Sequence, residues 1–407
     1  MTDTAPRNNR FFLVPMRPRD ASESNRAAST LELFFDLVFV IAVSQASTSL
    51  HHMLAEGDWA GGLPRYLLAF FAIWWAWMNF TWFSTSFDTD DWLYRVLTIA
   101  QMGGVLLFAA GIEPMFTEDS FALMIAGYVV MRIAMVLQWL RAATGGGPTR
   151  RTALVYAAGI AIAQALWVAW LFVPESPART AFLIVLVLCE IAVPVVAESA
   201  GRARTPWHPE HITERYGCFT LILLGESLLG SANAVFSARA DVDSLTSLVE
   251  LAVLALIVTA SLWWIYFWPP HHRAIGSFAS SLRYGYVHYI VFAAAGAFSA
   301  GIEVEIAVLT GESELFELAA SFTVTIPIAV FILGIWWIAF RGNADRVVNT
   351  VVPAGALLVL LDPLIPVPIA LSTIVCIAIV AVLVVRRPVP EDELPNDQLS
   401  DQADASA

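Results

Sequence analysis

The chain has 407 residues, 58% of them hydrophobic and only 14% charged, with a mean hydropathy of +0.68. A water-soluble protein of this length carries far more charge on its surface, so the composition describes an all-α polytopic membrane protein. The formal charge of −13 does not mark a nucleic-acid binder: much of it lies in loops and in a tail after Pro390 that has acids and no bases. The three cysteines (Cys189, Cys218, Cys376) fall inside apolar runs, which leaves no disulfide framework and no Cys-x-x-Cys pair.

Crossing a hydrocarbon core of about 30 Å takes about 20 apolar residues. On that measure the sequence predicts twelve helices, near 31–53, 64–84, 92–112, 120–141, 152–173 and 179–199, then 213–236, 246–268, 282–303, 317–340, 347–365 and 367–387. Pro- and Gly-rich turns such as Gly145-Gly146-Gly147-Pro148 and Pro269-Pro270 separate them. Residues 1–30 are polar and rich in Arg, without the pattern of a cleaved leader, so the first helix is expected to act as an uncleaved anchor. All 22 cationic residues are Arg; seventeen fall on one side of this layout, against only Arg65, Arg179 and Arg239 on the other. That asymmetry predicts that both termini are cytoplasmic.

The chain also reads as a duplication. Phe108-Ala-Ala-Gly-Ile-Glu113 returns as Phe298-Ser-Ala-Gly-Ile-Glu303, Trp74-Trp75 as Trp263-Trp264, and Pro177 as Pro366, all at an offset of 189 or 190 residues. The expected organisation is a cytoplasmic segment 1–30, a six-helix repeat 31–201, a second repeat 202–388 in the same orientation, and an acidic disordered cytoplasmic tail 389–407.

Leu31 to Gln45, LELFFDLVFVIAVSQ, is apolar enough to enter a bilayer yet carries Glu32 and Asp36 one helical turn apart. A carboxylate at the centre of a spanning helix costs about 2.5–3.5 kcal/mol on insertion scales, so such groups face a protein interior or a water-filled path. Glu32, Asp36 and Ser47 share one face of the first helix; Arg215, Glu226 and Asn233 share one face of the seventh. At the repeat offset Asp36 maps onto Glu226, which places two acid-bearing stripes opposite each other near the pseudo-symmetry axis. They read either as a cation or proton path or as interhelical ion pairs, with Arg132, deep in the fourth helix, as a partner. The two acids sit at different depths as drawn; a first helix reaching back towards Arg26 would align them.

Two further stretches lie on the cytoplasmic side. His208, His211 and Glu214 stand at the mouth of the seventh helix, where they read as metal ligands, proton-sensing groups or interfacial residues around a helix start; Pro209 suggests that the helix begins only after His208. Asp88, Asp90 and Asp91 follow the second helix and read either as cation-concentrating acids at a pore entry or as a solvated turn with Asp90 or Asp91 as N-cap. His288, alone in mid-helix, is expected to be satisfied by a neighbouring helix, and the Trp pairs to pack the core or anchor the interface. No phosphate loop, nucleophile elbow, zinc motif or dinucleotide fingerprint occurs, so neither enzymatic chemistry nor a cofactor is expected.

LELFFDLVFVIAVSQ at 31–45, FDTDDWLYR at 87–95 and EHITERYGCFTLILLGESLLG at 210–230 together resemble the bacterial low temperature requirement protein A family. The resemblance runs over most of the chain but not the tail after Pro390, and implies a bacterial multi-pass inner-membrane protein without assigning a substrate. Glu32, Phe35, Asp36, Glu214, Arg215, Gly225 and Glu226 are the positions it carries over. Cation channels built from two six-helix repeats are similar in architecture, although Phe34-Phe35-Asp36 lacks their Ser. The expected function is a transporter or channel for a small cation or proton-coupled solute, with a path between the repeats. The alternative is a sensor or scaffold in cold or stress response that transports nothing.

Overall fold

Short polar residues at the ends of the apolar runs decide where several helices start. Ser29 closes the first turn of α1 (Thr30–Ala55) through a capping box with Glu32, and Asp58 and Asp91 cap α2 (Trp59–Phe87) and α3 (Trp92–Ala110). A short α4 (Ile112–Thr117) continues α3, followed by α5 (Ala122–Thr144), α6 (Arg150–Trp170) and α7 (Pro177–Ala200). The second half comprises α8 (Pro209–Ser237), α9 (Val242–Phe267), a 3₁₀ turn His271–Ile275, α10 (Phe278–Leu309) and α11 (Glu317–Ile335), which runs on through a π-turn at Trp336–Phe340. Then come α12 (Arg346–Val359) and α13 (Ala370–Val385). This computed structural model describes residues 13–20, 23, 26–237, 242–313, 315–365, 367 and 369–390.

Each of the twelve expected helices has a counterpart, with α3 and α4 together forming the third. Among the described residues nine helices are long and apolar enough to cross a membrane, α3 and α4 counted together, and α12 and α13 are shorter, at 14 and 16 residues. The expected eleventh helix, 347–365, stops early at Val359, because Pro363 shapes a 3₁₀ turn at Asp362–Leu364. α13 starts only after Ile369, whose left-handed φ of 57° breaks the chain direction. Pro366 and the acidic tail lie outside the described residues.

α1 starts at Thr30 rather than reaching towards Arg26, because Ser29 adopts the extended conformation of an N-cap. Asp36 therefore falls in the second turn of α1 and Glu226 in the fifth turn of α8, so the two acids remain at different depths.

α1, α2, α8 and α10 form the centre of the bundle, and α2 is buried over most of its length. Tyr66 on α2 donates to the Ala293 carbonyl on α10 at 2.7 Å, and Ser47 on α1 to the Gly296 carbonyl at 3.0 Å. Two glycines in the recurring sequence make close backbone approaches to the next helix. A Cβ on Gly111, at the end of α3, would overlap the Met124 amide on α5, and one on Gly301 of α10 would overlap the Thr323 carbonyl on α11. The residues that recur as Ala-Gly-Ile-Glu thus make the same kind of helix crossing twice.

Candidate functional site

α1 and α8 present their polar faces to each other. Asp36, in the second turn of α1, accepts from Arg215 Nε at 3.0 Å and Nη2 at 2.6 Å, and from Trp77 Nε1 on α2 at 2.7 Å. Glu32, one turn earlier, lies 2.9 Å from Arg215 Nη1 and 3.2 Å from His211 Nε2. All four are buried: Glu32 and Asp36 are 1% exposed, Arg215 and His211 are at 0%. The planar guanidinium matches one carboxylate in a two-point grip while its remaining arm reaches the other. Two negative charges and one positive charge meet here, with His211 able to supply a second positive charge on protonation. The result is an ionic lock between α1 and α8, of net charge −1 while His211 is neutral and balanced when it is protonated.

Arg132 does not join it. Its guanidinium, 1% exposed, pairs with Glu190 on α7 at 2.9 Å. Glu190 also accepts from Trp75 Nε1, Tyr128 and Gln164, so four donors surround one buried carboxylate.

Glu226 lies elsewhere, level with Ser44, its hydrogen-bond partner on α1. One turn further along α8, Gly230 faces the Glu303 carboxylate of α10, which lies 3.3 Å from His51 Nδ1. Glu226, Glu303 and His51 form a second polar level between α1, α8 and α10. Among the described residues no cationic group pairs with Glu226. Between the two levels Phe39 and Phe219 meet edge to face, with ring centroids 6.4 Å apart. Asp36 and Glu226 are therefore on one helix interface but in different polar clusters. Asn233 is exposed, near the far end of α8.

At the arginine-rich end the chain before α1 lies across the mouth of the bundle. Arg26 donates to the Thr85 carbonyl and, at 2.6 Å, to the Ser84 carbonyl at the end of α2. His208 Nε2 contacts the Glu23 carbonyl at 2.7 Å, and Glu214 accepts from the Ala28 amide at 3.1 Å. His208 and His211 thus meet backbone and carboxylate partners on different segments, and α8 starts at Pro209. The acidic turn is divided among separate arginines. Asp91 caps α3 and pairs with Arg141, Asp90 pairs with Arg95 at 2.7 Å, and Asp88 lies 3.6 Å from Arg19. Burial raises the Asp88 carboxyl above the usual aspartate range, and the negative charge of Glu32 adds to this. Burial also works to raise Asp91, but hydrogen bonds from Arg141 and from the Tyr94 and Val14 amides outweigh it and hold this carboxyl low.

His288 is enclosed by Tyr266, whose hydroxyl lies 3.1 Å from Nε2, and by the Tyr284 carbonyl. His271 joins the same cluster through the Tyr284 hydroxyl at 3.1 Å, and burial pushes this imidazole down to about 4. Of the tryptophans, Trp74, Trp75 and Trp77 are buried, whereas Trp263 and Trp264 are 43% and 41% exposed. Two participants escaped the sequence reading: Glu190, inside a strongly apolar run, and Trp77, whose indole N–H serves Asp36. The available signal was Arg132, a spanning-helix charge that requires an acid somewhere in the first half.

Comparison with known proteins agrees with this architecture. Residues 27–385 match the family described as bacterial low temperature requirement A protein. An uncharacterized protein of Rhizobium meliloti (strain 1021), RA0937, is 28% identical over 264 residues, which is 63% of this chain and 62% of the relative's length. The family match takes in α1 with Glu32 and Asp36, α8 with His211 and Arg215, and every helix between and after them up to Val385. The chain is a multi-pass membrane protein that belongs to the bacterial low temperature requirement A family.

Proposed function

We propose that the protein is a transporter or channel for a small cation or a proton-coupled solute, and not an enzyme. The path follows the α1–α8 interface between two parallel six-helix repeats, with both termini on the cytoplasmic side. The carrying observation is the contrast between the two polar levels. Asp36 and Glu32 share the Arg215 guanidinium and sit under the N-terminal segment, as a closed inner gate would. Glu226 is a buried carboxyl with a hydroxyl partner and no paired cation among the described residues, next to Glu303 and His51. A buried acid of that kind is suited to bind a cation or to pick up and release a proton. The repeated close crossings at Gly111 and Gly301, and the asymmetric distribution of arginines, support the parallel repeats and the orientation.

Ion and proton flux in liposomes, compared between the wild type, Glu226→Gln and Asp36→Asn, tests this reading. The expectation is flux in the wild type, loss in Glu226→Gln, and altered gating in Asp36→Asn. Equal flux in wild type and a folded Glu226→Gln would end it. The Phe39–Phe219 contact between the levels favours a rival, a membrane sensor or scaffold that conducts nothing. Loss of a cold-growth phenotype on truncation at Pro390, with no flux in any form of the protein, would favour that rival.

A further inference from the structure

α7 leans away from the bundle: Ile184, Val185, Leu188 and Val196 are more than half exposed, and its inward face meets a cleft against α2 and α10. At the arginine-rich end this cleft forms a cavity of about 60 Å³ walled by Trp82, Trp139, Tyr156, Trp207, Phe278 and Tyr286. A single water-sized group needs about 10–15 Å³, so the space admits a small polar group. Glu198 of α7 contributes to the wall and is 7% exposed. Its carboxylate accepts from the Tyr156 hydroxyl at 2.9 Å, the Thr205 hydroxyl at 2.7 Å and the Thr205 amide at 3.0 Å. These are neutral donors, and among the described residues no cationic group is within ion-pair distance. Arg204 stands at the rim, exposed, with its guanidinium 4.5 Å over the Phe278 ring.

The cleft does not stop there. Tyr286 also belongs to the wall of a second, apolar pocket of about 270 Å³, lined by Leu67, Phe71, Trp74, Val187 and Ile191. Glu198, Pro194, Ile191 and Val187 are successive turns of one α7 face, which at 1.5 Å per residue covers about 16 Å. Half of a hydrocarbon core is about 15 Å. The two pockets therefore lie one above the other along α7, from the interface to the mid-plane of the bilayer, polar and aromatic above and apolar below, and Tyr286, which donates to the Ile191 carbonyl at 3.0 Å, stands between them.

We propose that this cleft binds one phospholipid with a primary amine headgroup, of the phosphatidylethanolamine type, from the leaflet on the arginine-rich side. The ammonium enters the aromatic box and pairs with Glu198, the phosphate meets Arg204 at the rim, and one acyl chain lies along Val187, Ile191 and Phe71. Ring faces attract the ammonium and tolerate the methylenes beside it. A headgroup without an amine offers Glu198 no counter-charge, and a trimethylated one has no N–H to donate to it.

The test uses the delipidated full chain in detergent, with thermal unfolding and native mass spectrometry as readouts. Phosphatidylethanolamine is expected to stabilise the wild type and to remain bound more tightly than phosphatidylglycerol or phosphatidylcholine. Glu198→Gln is expected to lower that preference about tenfold, the loss of one charge-assisted hydrogen bond. Val187→Trp fills the lower pocket one turn below the contact of Tyr286 with Ile191, and is expected to weaken phospholipid binding while the walls of the headgroup box stay in place. Equal retention of the three phospholipids by the wild type would overturn the proposal, as would an unchanged preference in Glu198→Gln. Saturable binding of phosphoethanolamine alone, unaffected by Val187→Trp, would also overturn it, by assigning the box to a soluble amine.

Discussion

Arg215 of α8 holds Asp36 of α1 by two hydrogen bonds, of 3.0 and 2.6 Å, across 179 residues of sequence. The pair is sealed from solvent and shares its guanidinium with Glu32, so each of these charges depends on the others being present. Arg215→Met leaves two buried carboxylates without their counter-charge and is expected to destabilise the protein by about 3–5 kcal/mol. Asp36→Asn leaves Glu32 paired with Arg215 and is expected to cost less, about 1–3 kcal/mol. The double variant is expected to lose less than the sum, because it removes both members of the pair. Thermal unfolding of the four forms in detergent checks this; strict additivity would mean that the contact carries no coupling.

The recurring glycines predict a second, independent effect. Gly111→Ala and Gly301→Ala force a methyl into backbone of the neighbouring helix and are each expected to cost about 1–3 kcal/mol. Gly103 on α3 has no atom near its Cβ position, so Gly103→Ala should be neutral or slightly stabilising through helix propensity. Melting temperatures of the three variants separate crossing geometry from propensity.

His271 makes stability depend on pH. Burial among Tyr266 and Tyr284 pushes it down to about 4, against the opposing hydrogen bond to the Tyr266 carbonyl, and the neighbouring His272 adds to the lowering. The unfolded chain has a value of about 6.5, so between these limits the unfolded state binds more protons than the folded one. Stability is therefore expected to rise with pH from about 4 to about 6.5 and to level off above, by about 3 kcal/mol for this group at full effect. His271→Asn should flatten the profile over that window. An unchanged slope would assign the dependence to other groups.

The segment before α1 is pinned to the end of α2 by Arg26. Arg26→Gln is expected to loosen it and to expose the buried Ser84 level. In a Ser84→Cys background, the labelling rate with a charged maleimide should rise by about tenfold, a local opening eased by about 1.4 kcal/mol. An unaltered rate would show that Arg26 does not hold the mouth closed.

Much of the helical plan was legible because it depends on local chemistry. Apolar length placed the twelve helices within about six residues at each end; the largest departures are α10, which runs on to Leu309, and the eleventh of the plan, which stops at Val359 before the Asp362-Pro363 turn. Asp91 was readable as a cap, and Pro209 as the start of α8, from nearest neighbours alone. The partnerships were less legible. Pattern matching set Asp36 against Glu226, since repeats align equivalent residues, but contacts across an interface need not join equivalent residues. Arg215 precedes Glu226 by three turns and so meets the acid that lies near the start of α1. Glu190 was hidden for the opposite reason. Its helix is so apolar that a single acid resembles an accident until Arg132, Tyr128, Gln164 and Trp75 are brought around it.

The distance in sequence between Asp36 and Arg215 also bears on how the protein is made. α1 leaves the ribosome long before α8 exists, so its two carboxyl groups enter the membrane with their eventual counter-charge still unsynthesised. α8, in turn, carries Arg215 in its second turn, a charge that is costly to bring into the bilayer alone. Its insertion is favoured by a waiting α1 that can neutralise Arg215. A chain interrupted before α8 therefore keeps Glu32 and Asp36 in the bilayer without the guanidinium that holds them in the full protein.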